Sequence, residues 1–62
     1  MNIHLIGDGV GEVLQLGLIP TVGERIVLAP PDGRELRVES VKYYVGRNGG
    51  VERVEAQVAV VR

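Results

Sequence analysis

Residues 46–50, GRNGG, are the stretch of this sequence whose composition points most directly to chemistry. Consecutive backbone N–H groups in a glycine-rich loop can form a concave nest for a phosphate or a nucleotide, and Arg47 would add positive charge. No helix pattern follows the glycines, and the Lys-Ser/Thr ending of a nucleotide-binding P-loop is absent. The alternative is a hairpin connection in which Asn48 and Gly49 supply the left-handed backbone that tight turns need. We favour the turn.

Two further stretches resemble chemical sites. Residues 7–12, GDGVGE, share glycines at alternate positions with dinucleotide-binding fingerprints, but the third glycine and the crossover helix are missing. His4 with Asp8 or Glu12 could support acid–base chemistry, yet no Ser or Cys nucleophile accompanies them at a suitable spacing. His4 is the single histidine and cysteine is absent, so the paired spacings of zinc sites do not occur. We predict a non-enzymatic protein with no catalytic residue, metal site or cofactor.

Tyr43 and Tyr44 are the only aromatic residues, and Lys42 and Arg47 flank them. Neighbouring side chains of a strand point to opposite faces, so we expect at most one ring in the core and the other at the surface. An exposed tyrosine beside cations could stack on a base or a nucleotide ring, or it could anchor a protein interface. We favour the interface and predict a surface for a partner or ligand at Lys42, Tyr44, Arg47 and Asn48.

The elements that must carry these residues are strands. Apolar and polar residues alternate in residues 2–6, 11–18, 24–29 and 34–39, and turn signals such as GDG and PPDGR separate these segments. The alternation changes parity near Glu39 and Ser40, and again between Val51 and Val54, which predicts β-bulges that bend the last two strands. We predict an all-β fold: one small, five-stranded, strongly bent antiparallel barrel of the SH3-like kind over residues 1–62. An OB-like barrel is the less favoured alternative, because no helix interrupts the strands.

The last strand loses its polar face toward the C-terminus, where residues 58–61 read VAVV. A strand that is apolar on both faces needs cover on both, and so small a barrel has little protein to provide it. We therefore predict an exposed patch or edge that a second copy covers. The predicted oligomer interface consists of Ala56, Val58, Val60 and Val61.

Size and composition support self-association. A chain of 62 residues forms one domain with a marginal core, and without cysteine it cannot gain disulfides. Valine occurs twelve times, whereas Phe and Trp are absent. A net charge of −1 disfavours a strongly basic nucleic-acid binder. The charge is uneven, because residues 1–24 carry three acids and no Lys or Arg, and this asymmetry could favour head-to-tail association or weak anion binding.

Neither a transmembrane segment nor a secretory signal is recognisable, since charge, Gly or Gln soon interrupts every apolar run. A cytoplasmic location and no membrane partner are therefore expected, in a bacterium or in a cell infected by a phage.

One segment resembles a known group of proteins. Pro20, Gly23, Glu24, Ile26 and Leu28, followed by Val38 and Val41, match a pattern of short uncharacterised bacterial and phage proteins. The resemblance covers about two thirds of the chain and implies a phage or mobile-element origin. It supplies no catalytic residues.

Two functional hypotheses follow. The first is a binding and assembly module that forms homo-oligomers and contacts a host or phage protein, as an adaptor or an inhibitor of a host factor. The second is a nucleotide or oligonucleotide binder that uses glycine and arginine loops at a subunit interface.

Overall fold

The computed structural model describes the whole chain, residues 1–62, and contains five β-strands. The strands are β1 Asn2–Gly7, β2 Val10–Gln15, β3 Arg25–Val27, β4 Glu35–Val45 and β5 Val51–Val60. They form one sheet in the order β2-β1-β5-β4-β3, strongly curled into a half-barrel. The all-β class and the five strands are as predicted. The structure contains no helix with the length and apolar character needed to span a membrane.

The sheet is mixed, so the prediction of purely antiparallel pairing is wrong. β1 runs parallel to β5, with Ile3 opposite Val54 and Ile6 opposite Gln57, while the other three pairings are antiparallel. The edge strands β2 and β3 do not pair with each other, which leaves a half-barrel rather than a closed barrel. Alternation along a strand encodes which side chains face inward, but it does not encode which strand becomes the neighbour.

Two irregularities bend the β4–β5 hairpin where the sequence predicts them. The pairing steps from Val38 to Ser40, which leaves Glu39 as the extra residue of β4. It shifts again between Tyr44 and Val45, where Glu52 is the extra residue of β5. Each bulge returns the following apolar side chains to the concave face and adds twist to the strands. The predicted parity changes are confirmed as bulges.

The concave face of the half-barrel holds the core. Nine apolar residues are buried there, namely Ile3, Leu5, Val10, Leu28, Leu36, Val38, Val54, Ala56 and Val58. They come from every strand or its immediate flank, and no polar or charged residue is buried with them.

The position of β5 corrects the expected role of its apolar end. β5 lies in the middle of the sheet, with β1 on one side and β4 on the other, so from Val54 to Gln57 it has no free edge to pair with a partner. Ala56 and Val58 are buried in the core of their own chain. Val60 and Val61 are half-buried. The strand is rich in apolar residues because it is central, and an interface through strand pairing at Ala56 and Val58 is not compatible with this fold.

The end of the half-barrel that carries the β1–β2 turn is closed tightly. Asp8 has a φ of 49°, and its carboxylate accepts hydrogen bonds from the backbone N–H of Val60 (2.9 Å) and the guanidinium of Arg62 (3.1 Å). These bonds hold the pKa of Asp8 below its ordinary value, the contact with Arg62 having the larger effect. Gly7 packs so closely that a Cβ at this position would lie 2.6 Å from the carbonyl oxygen of Val58. We call this region the closed end.

Candidate protein interface

The opposite end of the molecule carries a projecting hairpin. β1 pairs with β5 only from Val54 to Gln57, so the preceding part of β5 has β4 as its sole neighbour. We call residues 42–53 the arm. It contributes to the elongated shape of the molecule, whose principal extents are 40 × 19 × 18 Å. A two-stranded hairpin is only marginally stable in water, so an arm without further cover favours a partner.

The convex face of the arm is polar and internally connected. Tyr44 lies opposite Arg53, and Lys42 lies opposite Glu55. The Tyr44 hydroxyl donates a hydrogen bond to the Glu55 carboxylate (3.1 Å), which also pairs with Arg53 at 2.8 Å. The Lys42 ammonium is 5.8 Å from the centre of the Tyr44 ring, within the range of a cation–π contact. The structure thus brings together Lys42 and Tyr44 of the predicted partner surface.

The tip of the arm, residues 46–50, has the geometry of a turn. The Gly46 N–H donates to the Gly50 carbonyl (2.8 Å), and the Gly49 N–H donates to the Gly46 carbonyl (2.9 Å). The Gly50 N–H donates to the side chain of Asn48 (2.9 Å). Three of the five backbone donors that an anion nest would use are therefore already engaged within the loop. Asn48 stabilises the turn, and Arg47 stands at its exposed tip.

The concave face of the arm is apolar and uncovered. Tyr43 lies opposite Val54, and Val45 lies opposite Val51, so these side chains share the face that forms the core further along the sheet. Tyr43, Val45 and Val51 are 48%, 59% and 52% exposed. Neither tyrosine is therefore a core residue, which agrees with the expectation of at most one. The two rings do lie on opposite faces, but the arm extends past the strands that would cover Tyr43.

Three clefts run in series beside the arm. The largest, which we call the linker cleft, has a volume of about 720 Å³, and it is lined by Leu16, Gly17, Leu18, Ile19, Pro20, Thr21, Glu24, Arg25 and Ile26. A second cleft shares Leu16 and Gly17 with it and adds Met1, which also lines a third cleft along residues 51–54. Neighbouring clefts therefore share lining residues from the β2–β3 linker, residues 16–24, to the start of the arm. We call the arm, Met1 and the linker together the open end. The last residue of the linker, Glu24, extends from there to pair with the backbone of Val38.

Exposed apolar side chains concentrate at this open end. Leu18 is 85% exposed, and Met1 and Val22 are also largely accessible. Together with the concave face of the arm they account for six of the nine large hydrophobic residues that the chain exposes. Clustering of this kind marks an interaction site more often than scattered surface hydrophobics do. The open end is therefore the strongest candidate for a functional surface.

The charged side chains that the chain leaves without an ion pair all lie at the open end. Every Asp and Glu outside it lies within an ion pair, whereas Glu24 in the linker and Glu52 in the arm have no cationic partner. Among the cations, Lys42 and Arg47 are likewise unpaired. Glu24 accepts hydrogen bonds from the hydroxyl and the N–H of Thr21, which hold its pKa below the ordinary value. It therefore stays ionised at neutral pH.

The other residues considered for chemistry lie apart from this surface. His4 is on the convex face opposite Val13, and Asp8 is engaged at the closed end. Glu12 makes a long ion pair with Arg34 at 3.5 Å. No group of three or more His, Asp and Glu side chains is placed to hold a metal ion.

Sequence reasoning missed Leu18, Val45 and Val51. A signal for Leu18 existed, because a large apolar residue between Gly17 and Pro20 stands outside any strand pattern. Val45 and Val51 carry no such signal, since they alternate as core residues do. Their exposure depends on where β1 stops pairing with β5.

No protein-family model, curated protein or solved structure matches this chain. The fold and the site therefore define it as a small all-β half-barrel with a closed end, an apolar open end and a projecting arm.

Proposed function

We propose that this protein is a non-enzymatic binding and assembly module that acts through its open end. The observation that carries the proposal is the uncovered apolar face of the arm, formed by Tyr43, Val45 and Val51, next to the linker cleft. Burying such a surface gives about 25 cal/mol for each Å² of apolar area removed from water. With only nine apolar residues buried in its own core, the chain has much to gain from association.

The partners we propose are a second copy of the chain and a host or phage protein. The convex side of the arm supports contact with a host or phage protein. Four polar side chains remain accessible there beside the apolar face, namely Lys42, Tyr44, Arg47 and Asn48. Tyrosine and arginine are the residue types that protein interfaces favour. The resemblance of the Pro20–Leu28 pattern to short bacterial and phage proteins supports an adaptor or host-factor inhibitor in the cytoplasm.

We further propose that the half-barrel is a relative of the SH3-like small barrels. The five strands of one curled sheet and the bulge at Glu39, which bends β4, support this assignment.

Light scattering at micromolar concentration tests the proposed assembly. The wild-type chain should have a mass above the 6.7 kDa of the monomer, and Val45→Glu should reduce it to that value. Val13→Glu is the matched control, because Val13 is 55% exposed on the convex face of β2, away from the open end. A wild-type chain that stays monomeric, or equal masses for the two variants, would contradict the proposal.

A nucleotide or oligonucleotide ligand is the second candidate. The observation that favours it is the pair of exposed tyrosines on an arm that carries Lys42, Arg47 and Arg53 against one acid, Glu52. Stacking on aromatic rings and contacts with cations are the usual means of binding single strands. Fluorescence anisotropy with a labelled oligonucleotide in low salt measures this binding directly. No binding by the wild-type chain would remove this candidate.

A further inference from the structure

We propose that two copies of the chain exchange arms about a two-fold axis, so that each arm lies in the linker cleft of the other copy. The inference rests on the proposed function and specifies its self-association: which surfaces meet, and with what symmetry.

The two surfaces each lack cover within one chain. The apolar side chains of the arm are 48% to 59% exposed, and the linker cleft is lined by Leu16, Leu18, Ile19 and Ile26. No residue of the arm lines the linker cleft of its own chain. The arm projects from the molecule and the cleft is concave, and its volume of about 720 Å³ is within the usual range of protein binding clefts.

The unpaired charges favour the same contact. The arm carries the unpaired cations Lys42 and Arg47, which outnumber its one unpaired acid, Glu52. The linker cleft carries Glu24 without a cation, while the neighbouring Arg25 is neutralised by Glu35 at 2.7 Å. An arm in the cleft of a second copy would bring an unpaired base toward an unpaired acid. Two arms packed against each other would instead bring like charges together.

The position of the two surfaces sets the symmetry. The arm and the start of the linker lie at the same end of the half-barrel, since Leu16 exchanges backbone hydrogen bonds with Met1, which also lines the cleft beside residues 51–54. From this end the linker cleft runs along the half-barrel to Glu24, whose backbone pairs with Val38. A single two-fold axis at this end can therefore satisfy both contacts at once, which gives a closed dimer. A stable interface buries about 800 Å² per partner, roughly a fifth of this chain's 4284 Å² surface. Two reciprocal contacts supply such an area more readily than one.

A mixing experiment tests the exchange. Val45→Glu places a charge on the apolar face of the arm, and Leu18→Glu places a charge in the linker cleft. Both residues are largely exposed, so we expect both variants to fold. In a dimer of either variant, both reciprocal contacts are damaged, and each variant alone should be a monomer by analytical ultracentrifugation. A buried unpaired charge costs at least about 2 kcal/mol, which raises the dissociation constant about thirtyfold or more.

The mixture of the two variants is the decisive sample. The intact arm of Leu18→Glu can enter the intact linker cleft of Val45→Glu, so one of the two contacts is restored. We expect a heterodimer of twice 6.7 kDa that dissociates more readily than the wild-type dimer. Circular dichroism of each variant confirms that it is folded.

The other outcomes are distinguishable. A monomeric mixture, or a dimer formed by Leu18→Glu alone, overturns the exchange but leaves association through the open end standing. A wild-type mass that grows beyond two chains overturns the closed two-fold arrangement. Wild-type masses for both variants overturn the exchange and the proposed function together.

Glu24→Gln supplies a second readout. The amide keeps an acceptor for Thr21 but removes the charge, so the dimer should weaken and lose part of its salt dependence. An unchanged dissociation constant and an unchanged salt dependence would contradict the proposed contact between Glu24 and the arm.

Discussion

Valine residues of the same strand are buried at the closed end of the half-barrel and exposed at the open end. At the closed end, Val58 is 3% exposed, and the β1–β2 turn packs against its backbone. At the open end, Val51 of the same strand is about half exposed. Both are valines of β5 on the concave face. The difference arises because the chain after Ile6 continues along the end of β5, where Gly7 packs against Val58 and Asp8 binds the N–H of Val60, whereas the part of β5 before Val54 has β4 as its sole neighbour. Burial therefore depends on how far the neighbouring strand reaches.

The largest expected effect comes from placing a charge at Val58. Val58→Glu buries an unpaired carboxylate and should cost about 4 kcal/mol or more, comparable to the whole stability of a small domain. Val51→Glu should change the free energy of unfolding by at most about 0.5 kcal/mol. Urea unfolding in a Leu18→Glu background, which prevents association, measures both. Similar values for the two variants would show that the two ends do not differ in burial.

Gly7 tests the tight packing of the closed end. A Cβ at Gly7 would meet the carbonyl oxygen of Val58 at 2.6 Å, and the residue has a φ of 122°. We expect Gly7→Ala to cost about 3 kcal/mol from strain and the forced backbone shift.

Gly9→Ala is the control for Gly7→Ala. Gly9 also has a positive φ, of 81°, but open space surrounds its Cβ position. Gly9→Ala should lower the free energy of unfolding by about 1 kcal/mol. Thermal unfolding compares the two variants, and equal losses would mean that the close approach to Val58 adds nothing.

The features of the fold that could be predicted from the sequence are those encoded in short stretches. The turn at Asp8 and Gly9 follows from local residue preferences, and the bulge at Glu39 follows from a break in parity. The parallel pairing of β1 with β5 could not be predicted in this way. It joins Ile3 to Val54, residues far apart in sequence, and nothing in their types specifies the direction of pairing.

The candidate site was predictable only in part. Lys42 and Tyr44 stand out as cation and aromatic neighbours, and the structure places them together on the arm. The apolar end of β5 suggested an interface because a strand that is apolar on both faces needs cover. A central strand has the same composition, and β5 is covered by its own chain. The exposure of Val45 and Val51 depends on tertiary pairing, and the sequence alone does not show it.

The next prediction concerns how stability depends on pH through the hydrogen bonds that the Asp8 carboxylate accepts from Val60 and Arg62 at the closed end. We call these bonds the Asp8 clamp. Hydrogen bonds from Arg62 and Val60 lower the pKa of Asp8 in the folded state. Its contribution to stability is therefore present above the unfolded pKa of about 3.9 and is lost as the pH falls through the lower folded pKa. Asp8→Asn removes this contribution while tolerating the left-handed backbone. Its unfolding free energy should fall less than that of the wild type between about pH 5 and pH 2.

Asp32→Asn is the comparison for Asp8→Asn. The Arg34 guanidinium lowers the pKa of Asp32 within the β3–β4 turn, two residues away. That contact is local and joins no distant strands, so the Asp32 variant should keep the closed end intact. Amide hydrogen exchange separates the two, because only Asp8→Asn should speed exchange at the Val60 N–H. Equal exchange at Val60 in both variants would show that the clamp does not hold the end of β5.

The smallest effect should come from Tyr44 on the convex face of the arm. Tyr44→Phe removes one hydrogen bond to Glu55, which keeps its ion pair with Arg53, so the loss of stability should be at most about 1 kcal/mol. Tyr43 makes no hydrogen bond through its hydroxyl, and Tyr43→Phe should leave stability unchanged while keeping the apolar face of the arm. Chemical unfolding measures stability, and ultracentrifugation measures association. If Tyr43→Ala, but not Tyr44→Ala, weakens the dimer, the concave face carries the contact. If Tyr44→Ala, but not Tyr43→Ala, weakens the dimer, the interface lies on the convex face.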